Sequence, residues 1–258
     1  MAVTAWSITQ SGRFEPFELQ VARRQITWHT PTNIFGYQVA ATTSIQAVWD
    51  VVADYVYPVT AIQMRVYSSS ASDTNVSITV DGLDTNFSSI SETVTLTNGV
   101  TGILTTKLFY RINSIIVANS VVPVGTITLS DSAKTVTYAQ INLVTVGGSP
   151  KSAGRSQMAI YSVPAGHTFY LYRVDAYSSQ GGSGNNYANY RVQSTNNVTG
   201  QTFEVLQSPF SNNYNARRAV PFPYSEKTDI QWQASVASGT GPIGVVVEGI
   251  LIKNDAST

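Results

Sequence analysis

The side chains of this chain that could do chemistry are few and scattered. There are two histidines, His29 and His167, and no cysteine. A zinc site built on this pair would need long-range convergence and added carboxylates to complete its shell, and thiolate sites and disulfides are excluded. His29, between Trp28 and Thr30-Pro31, and His167, closing the turn Pro164-Ala-Gly-His, read as ordinary polar or half-buried residues. The carboxylates available for acid–base work are Glu92, Glu204, Glu226, Asp229 and Glu248. Glycoside hydrolysis requires two of them across one cleft, and their spacing sets up no such pair. Asp81 and Asp84 bracket Gly82-Leu83. Calcium takes about six to eight oxygens, whereas aspartates at a strand end bond their own backbone and make turns. There is no His-Glu-x-x-His, no Gly-rich phosphate loop and no Gly-x-Ser-x-Gly elbow. The reading is a chain with no catalytic, metal or cofactor residues: a non-enzyme.

Composition narrows the class further. The 258 residues carry 15 basic and 15 acidic side chains, 12% charged in all, with zero formal net charge. A nucleic-acid binder shows a basic stripe, and the basic pairs Arg23-Arg24 and Arg217-Arg218 are too small for a phosphate backbone. They read as partners for carboxylates or carbonyls at a subunit boundary. Low charge with abundant Ser, Thr, Asn, Gln and Tyr suits a surface that packs against copies or partners. Residues 1–6 lack the basic flank and apolar core of a signal peptide, and no apolar run reaches membrane-helix length.

The elements that must position any site are strands. Ile62–Tyr67, Val76–Val80 and Glu92–Leu96 alternate apolar and polar residues as half-buried strands do. Asp81-Gly82, Asn98-Gly99 and Asp131-Ser132 are turn signals. Leu108–Val117 reads as one long central strand, followed by Thr126–Leu129 and Thr135–Tyr138. Residues 147–154, Gly-Gly-Ser-Pro-Lys-Ser-Ala-Gly, form the linker candidate. Strands resume at Gln157–Val163, Thr168–Tyr177, Ala188–Gln193, Thr202–Leu206, Asp229–Ala234 and Gly244–Ile252, with a loop tip at 180–186. A faint repeat links Tyr57-Pro58 and Arg65-Val-Tyr-Ser-Ser69 with Val163-Pro164 and Arg173-Val-Asp-Ala-Tyr-Ser-Ser179. The expectation is an all-β chain, an antiparallel β-sandwich or jelly roll in two halves. Its boundaries are 1–45 for an N-terminal docking arm, 46–148 for the first half and 155–258 for the second. The first 45 residues also admit the plainer reading of opening strands of the sandwich.

A set of local motifs carries a resemblance. Trp49-Asp50 precedes Tyr57-Pro58, and Ser70-Ala-Ser-Asp-Thr74, Val80-Asp-Gly-Leu-Asp84, Ile90-Ser-Glu-Thr-Val-Thr-Leu96 and Tyr110-Arg-Ile-Asn113 follow. Met158-Ala-Ile-Tyr-Ser-Val-Pro-Ala-Gly166 and Ser225-Glu-Lys-Thr-Asp-Ile230 continue it. As a set these resemble a family of virion structural proteins of marine tailed bacteriophages, of the cyanophage and pelagiphage type. The chain departs from that pattern at two turns, Thr97-Asn-Gly-Val100 and Val51-Val-Ala-Asp54.

The resemblance implies a bacteriophage virion component made in the host cytoplasm. It would be a homo-oligomer, with a trimer in view, that contacts the major capsid or other virion proteins. Capsid decoration, cement or head fibre stands ahead of neck or tail. The alternative is a receptor-binding module that grips a host surface glycan. No cofactor, nucleic acid or membrane is expected. Candidate interface residues are the arm aromatics Trp6, Phe14, Phe17 and Trp28, the pairs Arg23-Arg24 and Arg217-Arg218, and Tyr187, Tyr190 and Tyr214 in Asn/Ser/Gly-rich loops. Tyrosine in such loops supplies contact area at low entropic cost. The plainer reading of the same tyrosines, an ordinary sandwich rim, stands ahead of it.

Overall fold

A computed structural model of the protein describes residues 15–146, 149–179 and 187–254. Trp6, Phe14 and the expected loop tip at 180–186 lie outside them. The chain order opens with a short helix α1 (Phe17–Ala22), then β1 (His29–Ala41), β2 (Gln46–Ala47), β3 (Ile62–Ser68), β4 (Ser77–Leu83), β5 (Ser89–Thr95) and β6 (Ile103–Phe109). It continues with β7 (Arg111–Val117), β8 (Ile127–Asp131), β9 (Thr137–Ile141), β10 (Leu143–Val146), β11 (Ser149–Ser152) and β12 (Ile160–Ser162). The last strands are β13 (His167–Ser178), β14 (Ala188–Asn196), β15 (Thr202–Phe210), β16 (Asn213–Tyr224), β17 (Thr228–Val236) and β18 (Gly241–Lys253). All pairings are antiparallel, and the fold is the expected all-β sandwich architecture.

The first sandwich stacks β6-β3-β8-β9 on β5-β4-β7. Its core holds Met64, Val66, Ile78, Val80, Phe109, Ile115 and Leu129, the alternate residues of each strand. The second stacks β1-β18-β13-β16 on β12-β17-β14-β15, with β2 also on β17. Phe169, Tyr190, Trp232, Val245 and Val247 fill it.

Several expectations change. In the described part of the expected arm, 15–45, an opening strand follows α1: β1 runs along β18 from His29↔Ile252 to Ala41↔Gly241, so Phe35 and Tyr37 belong to the second sandwich. Leu108–Val117 is two strands, because the chain leaves one sheet at Tyr110 and enters the other at Arg111. Asp81-Gly82 lies inside β4, at an irregularity against β7, where a Cβ on residue 82 would sit 2.1 Å from the Arg111 carbonyl oxygen. Asp84 makes the turn instead, its Oδ1 accepting the Asn86 and Ser88 amides. Within the described part of the expected linker, Ser149–Ser152 fold back as β11 on β10.

The two cores share a wall. Along 47–49, Ala47 and Trp49 enter the first core and Val48 the second. Along 158–160, Met158 and Ile160 enter the first and Ala159 the second. An extended backbone sends successive side chains to opposite faces, so each segment serves both sandwiches. Backbone bonds Ala159 N to Val48 O and Val48 N to Trp232 O fasten the wall at 2.8 and 2.9 Å. Residues 49–157 are thus nested within a sandwich built from both sides of the sequence.

Candidate functional site: a clamped body and an open sheet face

Where β7 meets β17 the sandwiches are joined by a buried ion pair. Arg111 is 4% and Asp229 5% exposed. Arg111 Nε donates to both carboxylate oxygens at 2.9 Å, and Nη2 lies 2.9 Å from Oδ2. The remaining acceptor capacity of Asp229 is filled by Ser162 Oγ at 2.5 Å and Asn197 Nδ2 at 2.9 Å. Nη1 of Arg111 donates to the Tyr110 and Pro58 carbonyls. The guanidinium carbon stands 4.0 Å from the Tyr110 ring centroid and 4.7 Å from that of Tyr57. Burial opposes the charge on Arg111, but the bonds and field of Asp229 outweigh it and hold the guanidinium above its ordinary pKa. Asn113 adds a reciprocal pair: its side chain donates to Ser162 O and accepts from Ser162 N. Asp229 is therefore committed to structure. Neither Arg111 nor its pairing was identified from sequence, although a lone arginine in the apolar run 108–117 is the signal that a buried partner exists.

The other candidate acids also hold structural posts. Glu92 accepts the Thr106 and Lys107 amides at 2.8 Å, closing the gap between β5 and β6. Glu204 pairs with Arg191, and Glu226 accepts Gly166 N. Among the described residues no three of His, Cys, Asp and Glu gather at one point. No helix among them is long and apolar enough to cross a membrane.

An open built surface is the outer face of the β1-β18-β13-β16 sheet. Register fixes three rows across it. Tyr37, Gly244, Tyr177 and Asn213 form the first; Phe35, Val246, Asp175 and Asn215 the second; Asn33, Glu248, Arg173 and Arg217 the third. The first two rows carry the exposed rings of Tyr177 (47%) and Phe35, with Val39 beside them on β1. The Tyr177 ring covers Gly244, where any Cβ would collide with it. The third row is charged: Arg173 contacts Asp175 at 2.5 Å and Glu248 at 3.8 Å. Beyond it α1 lies on the sheet, with Val21 and Ile250 buried. A cleft of about 480 Å³ there is lined by Glu18, Tyr172, Arg173, Arg217 and Glu248, among others.

The expected interface residues divide. Arg217 belongs to this face, on a strand where a loop was expected. Asn213–Tyr224 is an edge strand, and its alternation is hidden by polar residues and two prolines. Phe17 sits edge-on to His29, with ring centres 5.9 Å apart. Arg23 pairs with Glu15, and Arg24 is exposed. Trp28 is 57% exposed and has a left-handed backbone, φ 66°, rare for a bulky residue. Tyr187 is exposed. Tyr190 is not a surface residue: it is 1% exposed in the second core, because β14 alternates Ala188, Tyr190 and Val192 inward. Tyr214 packs on it with ring centres 5.2 Å apart, and the Arg218 guanidinium lies over Phe222.

No family model and no curated protein matches the sequence. Among solved structures, T=1 particles derived from infectious bursal virus overlap at 11% identity and TM-score 0.18, covering 89% of this chain and 75% of that one. Infectious bursal disease virus strain Gt overlaps at 8% identity and TM-score 0.19, covering 94% and 79%. Superpositions this loose carry no weight for fold or role.

Proposed function

We propose that the protein is a non-enzymatic structural subunit of a bacteriophage particle, of the marine tailed type that its sequence resembles. It would act as a homo-oligomer, a trimer in the simplest arrangement, against the major capsid or another virion protein. Capsid decoration, cement or head fibre is favoured over a neck or tail position. The observation that carries the proposal is the outer face of the β1-β18-β13-β16 sheet. It presents Tyr37, Tyr177 and Phe35 beside the charges of Asp175, Arg173 and Glu248, on a body whose halves are held by a shared wall and a buried ion pair. Such a face suits burial against a copy of itself: apolar area supplies roughly 25 cal/mol per Å², and the mixed charges set register more than strength.

The test is the mass of the purified chain in solution, with Phe35→Glu and Tyr177→Glu as variants. Wild type is expected to be oligomeric with a melting temperature that rises with concentration, and the variants folded, monomeric and melting independently of concentration. A monomeric wild type that is also missing from purified particles overturns the proposal.

A further inference from the structure

A second surface has the composition of a ligand site. Strands β15 and β16 leave a common corner at Ser211-Asn212 and then part, because each pairs into a different sheet. Near the corner the gap is closed by rings: Tyr214 lies 5.2 Å from Tyr190 and 6.3 Å from Phe210. Farther along it opens into a groove of about 360 Å³, within the roughly 300–1,000 Å³ of small-molecule sites. Phe203, 53% exposed, Phe222 and Tyr224 line the groove. The Phe222 and Tyr224 rings meet edge to face, 5.0 Å apart.

Around the aromatics stand short polar groups. Asn196 Nδ2 donates to Ser225 Oγ at 3.1 Å, and Ser225 and Thr228 hydroxyls are 3.4 Å apart. Tyr224 is 4% exposed, and it also borders the smaller ring-lined pocket of Tyr190, Tyr214 and Arg218. The one charged lining residue is Glu204, already paired with Arg191.

We infer that this groove binds a neutral hexopyranose unit of a saccharide. The C–H face of the ring lies on Phe203 or Phe222, and its hydroxyls meet the Asn196–Ser225–Thr228 group and Glu204. A carboxylate as the only lining charge disfavours an acidic sugar. A peptide strand added to either free edge is disfavoured by Pro209, Pro221 and Pro223, which lack the donor that strand addition needs. The inference is independent of the assembly role.

The test is saturation-transfer NMR on the full chain with maltohexaose, cellohexaose, laminarihexaose and mannohexaose as probes. Sialyllactose and a β-strand-forming heptapeptide serve as controls. Binding of at least one neutral oligosaccharide is expected, weakened about tenfold or more by Phe203→Ala, which removes an exposed ring. Phe222→Ala is expected to act likewise, and Val220→Ser to leave binding unchanged. No neutral binding, binding of the acidic sugar or the peptide alone, or neutral binding untouched by Phe203→Ala each overturns the inference.

Discussion

Replacing Arg111 with methionine tests whether the two sandwiches form one cooperative body. Methionine keeps the unbranched stem between Tyr110, Tyr57 and Phe87 and deletes the charge. Asp229 is then left 5% exposed with two neutral donors, Ser162 Oγ and Asn197 Nδ2, and no counter-charge. Breaking one side of a buried pair costs about 3–5 kcal/mol, most of it the stranded partner. Asp229→Asn strands the guanidinium and is expected to cost a similar amount. Arg111→Met with Asp229→Leu strands neither, so the double variant is expected to recover to within about 1–2 kcal/mol of wild type.

The assay is urea unfolding followed by fluorescence. Trp49 lies in the first core and Trp232 in the second, so each sandwich carries a buried reporter. Wild type is expected to unfold in one transition seen by both, and Arg111→Met to part the two. Added salt should change the cost little, because the pair is shielded from solvent. A loss under about 1 kcal/mol for Arg111→Met, or single effects that simply add in the double variant, would refute the clamp.

Other outcomes follow from the same coordinates. Burial raises the Asp50 carboxyl from 3.8 to about 8, against the opposing bonds from Gln157 N and Asn142. Protonation therefore favours the fold. That contribution is full below about pH 4, fades as pH rises and is gone above about pH 8, at about 1.4 kcal/mol per unit. Asp50→Asn should flatten this slope in thermal melts and make the variant the more stable form above pH 8. Gly36→Ala would place a Cβ 2.5 Å from both Ala159 Cβ and Val48 O, so a loss of about 1–3 kcal/mol is expected. A neutral result in the same urea assay would mean that β1 is detachable from the wall.

Alternation made most of the architecture legible. Ile62–Tyr67, Thr168–Tyr177 and Gly244–Ile252 show one face to a core, and each became a strand close to its expected bounds. What stayed hidden has physical causes. The edge strand β16 has no second apolar face, so Asn213–Arg218 looks like loop. Tyr190 looked exposed from its Asn neighbours, yet Ala188, Tyr190 and Val192 at every second position already pointed to a buried face. The clamp joins residues 118 apart. One sequence shows that Arg111 is misplaced among apolar residues but cannot name its partner.

The nested arrangement bears directly on the assembly role proposed above. Sheet order makes β18 the neighbour of both β1 and β13, so the outer face combines strands from opposite ends of the described sequence. The chain crosses between the sandwiches at 47–49 and again at 158–160, two covalent crossings instead of one linker. A single flexible crossing would leave the halves free to swing, and a load on the outer face would move one sandwich alone. Two extended crossings, side chains committed to both cores and a shielded ion pair resist bending and shear. A load on Phe35 or Tyr177 therefore passes through β1 and the 47–49 wall into the first sandwich. That stiffness is the mechanical property on which the proposed place in a particle would draw.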